Sequence, residues 1–191
     1  MSSPHTLLTA LAVVGSLLVA GCGSDDSDTA SSATGNGVDR AFVADMTPHH
    51  ESAIEMAKIA QERGDSAFVK QLAEDIISSQ STEITTMRRV DAQLDSAGVK
   101  ASSLDVPAHM VGMDGSVASL KTADPFDEAF LKMMLPHHEG AVVMAKAELE
   151  KGKDPALKKL ATQIITAQER EIRGMRAQLA KGDGKVAAPT S

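Results

Sequence analysis

The sequence predicts an all-α protein, a four-helix bundle made from two copies of one helical hairpin. Three observations carry that prediction. The first is an internal repeat: residues 42–88 align with 130–176 at a constant offset of 88, without a gap, and 22 of the 47 aligned positions are identical. Similarity at one fixed period makes the repeat the organising unit of the fold. The second is periodicity, since each copy holds two stretches with apolar residues at helical spacing and no stretch alternates with period two. The third is composition. Four Phe and no Trp or Tyr among 191 residues leave a core of Ala, Leu, Ile, Val and Met, which suits close helix packing better than a sheet.

Residues 7–20 form an apolar run that ends in Val19-Ala20-Gly21-Cys22. This ending resembles the lipobox of bacterial lipoproteins, in which the cysteine becomes the lipidated first residue after cleavage. Residues 1–21 are therefore expected to be a signal peptide, although the Lys or Arg usual in its first part is missing. The run is also short of the about 20 residues needed to span a bilayer. With Cys22 lipidated, the protein would sit on the outer face of a bacterial membrane, held through its lipid alone. Residues 22–38, rich in Ser, Asp, Gly and Ala, read as a flexible tether, and 182–191 as a disordered tail. Cys22 is the one cysteine of the chain, so the folded part has no thiol for a disulfide, a thiolate metal site or a cysteine nucleophile.

The domain is expected over residues 39–181. In the first copy one helix should cover about 39–63, with Gly64 as the break, and a second about 66–97, with Gly98 as the stop. In the second copy Asp124-Pro125 offers an N-cap and a first-turn proline for a helix to Lys151, which Gly152 ends. Asp154-Pro155 starts the last helix in the same way. Residues 98–123 connect the hairpins. Pro136 should lie within its helix as a kink, whereas Pro48, after Thr47, leaves a fresh helix start open.

Both copies contain Met-x-Pro-His-His-Glu. At 100° per residue, Met46, His49, His50, Ala53, Met56, Ala57 and Ala60 share one face, as do Met134, His137, His138, Ala141, Met144 and Ala145; Glu148 breaks the second stripe. Glu51 and Glu139 point away. On the other helix of each copy, Gln80, Glu83 and Met87, and likewise Gln168, Glu171 and Met175, fall on the apolar face. A carboxylate there is costly unless it is paired or metal-bound, and the facing histidines are its natural partners. A histidine held by a glutamate, with its other ring nitrogen free, is a common arrangement around metals.

Imidazole and thioether without thiolate favours copper, with zinc second. The expected ligands are His49, His50, His137, His138, Met46, Met56, Met134 and Met144, oriented by Glu83, Glu171, Gln80 and Gln168. His109, Met110 and Met113 on the connector, with Met87 and Met175, are auxiliary candidates. A structural His–Glu–Gln network in a non-catalytic envelope interaction module is the alternative. The net charge of −7, with no basic cluster, argues against nucleic acid. No phosphate loop or nucleophile elbow suggests an enzyme; an oxidase at a copper site is the one such reading the residues leave open, as is self-association.

The paired stretches Met46-Thr47-Pro48-His49-His50-Glu51 and Met134-Leu135-Pro136-His137-His138-Glu139 resemble the signature of domain of unknown function family 305. The resemblance extends through Ile76-Ile77, Gln80, Glu83-Ile84 and Met87-Arg88 and their second copies, over about residues 39–180. It implies a ferritin-like four-helix bundle, usually exported, in a family with some members linked to copper binding and resistance. Met46-Thr47 stands where the family often has Met-Ile, and Ser52 where it has Gly.

Overall fold

The computed structural model describes residues 34–113 and 115–183, the side chain of Asp183 excepted. The expected signal peptide, Cys22, most of the tether and the tail from 184 lie outside them. Four helices form the body: α1 (Gly37–Arg63), α2 (Ala67–Ser96), α3 (Phe126–Lys151) and α4 (Pro155–Asp183). The connector carries two short 3-10 turns, Ala108–Met110 and Val117–Lys121. α1 packs on α2, α3 on α4, and the hairpins meet chiefly through α1 and α3. The described residues contain no strand, and no described helix is long and apolar enough to cross a membrane.

Local chemistry explains most helix ends. Ser66 caps α2 through the Val69 amide, and Asp154 caps α4 through the amides of Ala156 and Leu157 at 2.8 and 2.9 Å. Gly98 follows α2 at φ +73°, a left-handed conformation that costs glycine little. Two ends differ from expectation. α1 begins at Gly37, because Asn36 and Asp39 form a capping box that orders the last residues of the expected tether. α3 begins at Phe126, with Pro125 in the extended conformation at the cap position and no capping side chain. Asp124 therefore stands one residue too far back to cap. Pro48 and Pro136 both lie inside unbroken helices, so Thr47 starts no new one.

The hairpin turns show how the two copies lock together. The Asp39 carboxylate accepts from the amides of Lys153 (3.0 and 3.1 Å) and Asp154 (2.7 Å) in the α3–α4 turn. Its counterpart Asp127 accepts from Asp65 and Ser66 in the α1–α2 turn, both at 2.9 Å. Each copy thus ties down the turn of the other, with donors and acceptors all offset by 88. Arg63 similarly reaches the connector carbonyls of Leu120 and Ala123.

The core is split into two apolar clusters. One holds Met56, Met134 and Met175; the other holds Met46, Met144 and Met87. Phe130 anchors the first and Phe42 the second, both fully buried, each contributing on the order of 2–3 kcal/mol of apolar burial. Each cluster takes one of its methionines from α1 and one from α3, as antiparallel helices require. The histidines, which lie between these methionines in both helices, occupy the level between the clusters.

Candidate metal centre

The first histidine of each pair points at the other. The rings of His49 and His137 lie 3.7 Å apart between centroids, tilted by 34°. The second histidine of each pair turns toward the outer helix of its own hairpin. His50 Nε2 lies 2.7 Å from Glu83 Oε2, and His138 Nε2 lies 2.8 Å from Glu171 Oε2. All four imidazoles are buried. The glutamates, at 13% and 8% exposed, bring carboxylates to the edge of this layer and to the floor of an open groove between α2 and α4.

His49 has a partner that its own repeat does not supply. Its Nε2 lies 3.0 Å from the carbonyl oxygen of Val111 in the connector. A carbonyl only accepts, so Nε2 carries the proton and Nδ1 is left with the lone pair. The Glu83 and Glu171 carboxylates fix His50 and His138 in the same sense when those rings are neutral. The Nδ1 atoms of all four histidines are buried without a hydrogen-bond partner, and His137 lacks one on either nitrogen. Buried polar atoms without partners are uncommon. The same atom thus stands without a hydrogen-bond partner in four neighbouring rings.

Electrostatics keeps the central pair neutral. Burial, reinforced by the neighbouring imidazoles, pushes His49 down to about 3 and His137 down to about 2. Two rings in stacking distance cannot both be cationic in a site without solvent. Neutral rings with free lone pairs are what a metal ion requires of histidine.

The methionines expected as ligands are all fully or almost fully buried, Met46 and Met144 on one side of the histidine layer and Met56 and Met134 on the other. Met87 and Met175 stand in the same clusters. Gln80 and Gln168 are buried on α2 and α4, but neither meets an expected imidazole partner: Gln80 Oε1 and both polar atoms of Gln168 are unpaired. Glu51 and Glu139 pair instead with Arg88 and Arg176 at the surface, at 2.5 and 2.6 Å. On the connector, Met110 and Met113 are exposed, beside the Val111 that touches His49. Among the described residues, no three His, Asp or Glu side chains converge as a ready-made metal site; the two central imidazoles meet each other, while His50 and His138 turn to Glu83 and Glu171.

Two further residues are not among the expected site residues. Val111 acts through a backbone carbonyl, and only the contact reveals it. Glu148, which stands where the first copy has Ala60, is fully buried near Asp39 with both carboxyl oxygens unpaired. Burial and the adjacent Asp39 carboxylate push it up to about 9. Its interruption of the inward stripe is the mark by which the sequence could have singled it out.

The model of the family described as domain of unknown function DUF305 matches residues 39–179, and also 21–91. The chain belongs to the DUF305 family. An uncharacterized protein of Acanthamoeba polyphaga mimivirus is 43% identical over 53 residues, a match that spans 28% of this DUF305 chain and 35% of the viral protein. The chain thus covers about a third of that relative's length. A crystal structure of a Streptomyces coelicolor protein, described as a secreted DUF305 protein, has 34% identity and a TM-score of 0.65, covering 76% of this chain and 92% of that one. CopM in its Cu(I)-bound form has 31% identity and a TM-score of 0.63, covering 75% of this chain and 96% of CopM. CopM is also solved with Cu(II), with silver and in the apo form.

Proposed function

We propose that this DUF305 protein binds copper outside the cytoplasm, as a lipoprotein anchored through Cys22, and sequesters or passes on the ion rather than catalysing a reaction. The observation that carries the reading is the close His49–His137 pair, neutral and buried, with orphaned Nδ1 atoms between two methionine clusters. Likeness to a protein solved with Cu(I), Cu(II) and silver supports the choice of metal. Imidazole with thioether is a donor set that suits Cu(I) and holds Cu(II) through nitrogen, whereas zinc seldom takes methionine.

In this reading His49 and His137 bridge the two halves at one centre. His50 and His138 add nitrogen donors whose Nε2 protons rest on Glu83 and Glu171, and these carboxylates offset the charge of the ion. Met46, Met56, Met134 and Met144 supply sulfur from above and below. His109, Met110 and Met113 form an outer, solvent-facing place of first contact.

The test is competition of the apo domain for Cu(I) against a chelator, in the wild type and in a His49→Ala/His137→Ala variant. The wild type should win the metal, and metal at a hundredfold excess over Kd should stabilise it by about 2.7 kcal/mol by mass action. Equal affinity in the variant would sink the proposal. The short Glu83–His50 and Glu171–His138 bonds favour one other reading, in which the layer is internal glue for each hairpin. That reading predicts loss of stability in the metal-free variant and melting curves that ignore both metal and chelator.

A further inference from the structure

The imidazole pair is closed to solvent, yet a ligand has to reach it. On the α2–α4 side the open groove ends at Glu83 and Glu171, which lead to His50 and His138. On the opposite approach the cover is the connector. It meets α3 backbone to backbone at two glycines, and α1 through the His49 ring. A Cβ at Gly140, on α3, would lie 1.9 Å from the Val111 oxygen, and one at Gly112 would lie 2.1 Å from the Pro136 oxygen. Gly112 also has φ +73°, so both its space and its conformation exclude larger residues. The first copy has Ser52 where the second has Gly140, which fits the fact that the connector crosses only one of the two helices at this position.

Val111 also packs, partly buried, against one apolar cluster, but little else holds this stretch. The turn Ala108–Met110 has no buried residue, and Met110 and Met113 are 43% and 44% exposed. Segments with few buried apolar contacts open locally at a fraction of the cost of global unfolding. Its polar contact with α1, the Val111 carbonyl on His49 Nε2, is the one that orients a candidate ligand.

We propose that residues 108–113 are a strap over the His49–His137 pair, latched by the Val111 carbonyl, which lifts to admit a soft metal ion. This rests on the metal-binding reading of the same pair. Lifting frees His49 Nε2, lets the ring turn and exposes the paired imidazoles. Reclosure restores the Nε2 proton donor and leaves Nδ1 facing the ion. Gly140 is then a positioning residue for the latch.

The test uses Gly140→Ala, which props the strap without altering any histidine, beside Gly112→Ala. In the metal-free protein, acylation of His49 and His137 by diethyl pyrocarbonate should accelerate by about tenfold, the change expected from losing one net hydrogen bond in an opening equilibrium. Cu(I) loading should accelerate alike, with affinity at equilibrium changed far less. Circular dichroism checks that the variants fold. If they do not, the wild type decides: His49 acylation should track exchange of the Val111 and Met110 amides, not the slower exchange of the helix core. Acylation at the core's rate in the wild type, or unchanged rates in folded variants, would overturn the strap. Because acylation needs no metal, a strap that opens in a protein that fails to bind copper would refute only the metal reading.

Discussion

Two buried polar clusters in this bundle have opposite histories within the duplication. The histidine layer is present in both copies, and its partners follow the offset of 88 almost everywhere: His50 with Glu83, His138 with Glu171. The cluster at Asp39 is lopsided. Asp39 and Asp127 perform the same cross-tie, but only Asp39 is fully buried, and only it has a second carboxyl, Glu148, packed nearby. At the first cluster each copy contributes one ring to the central His49–His137 contact and keeps one His–Glu pair of its own. Asymmetry at the second shows that a shared structural role tolerates divergence once the backbone donors are in place.

The comparison is sharpest at the two aspartates. Asp39→Ala should cost on the order of 3 kcal/mol, because it removes a buried carboxylate that ties part-buried amides of the α3–α4 turn and of Asn36 together. Asp127→Ala removes the equivalent bonds at a partly exposed turn that water can reach, and should cost about 1 kcal/mol. Chemical denaturation of the two variants checks the ranking, and equal losses would mean burial does not separate them.

The response to pH should pull the clusters in opposite directions. Glu148 is raised from 4.5 to about 9 in the folded chain. Between those values the unfolded chain gives up the proton and the folded chain keeps it, so stability falls as pH rises through this window. Glu148→Gln should flatten that slope in a series of thermal melts from pH 5 to 9. His49 and His137 are lowered, so in the metal-free protein their contribution is present above about 6.5 and is lost as pH falls toward 3. A wild-type Tm that rose from about pH 7 to 9, above the window of the histidines, would break the assignment of Glu148.

The smallest effect belongs to the surface. Arg88→Ala and Arg176→Ala each remove one exposed pair to Glu51 or Glu139, and each should cost about 0.5 kcal/mol or less, and less still in salt. The two should match, since this part of the duplication has kept the same solvent-exposed setting in both copies.

Much of the bundle is legible in the amino-acid sequence. The repeat, the two hairpins, the inward face of Met46, His49, His50 and Met56, and the inward carboxylates Glu83 and Glu171 all follow from helical periodicity, which is a local property. So does the outward turn of Glu51 and Glu139. The capping box at Asn36 and Asp39 is a local signal too, but it is hidden at the end of a Gly- and Ser-rich stretch.

Local pattern does not supply contact between distant segments. A helical wheel places His49 and His137 on inward faces but does not set the register that brings their rings to 3.7 Å; packing of α1 against α3 does. Nor can a side-chain pattern reveal Val111, whose role is carried by a carbonyl that every residue has, or the burial of Glu148, which depends on where Asp39 and the α3–α4 turn come to rest. The helices, their duplication and the chemistry of their inner faces are set by neighbours within a few residues, so the chain alone specifies them. Which imidazoles meet, what closes over them and which carboxyl keeps its proton are settled only in the assembled bundle, because burial and the spacing of remote groups arise there.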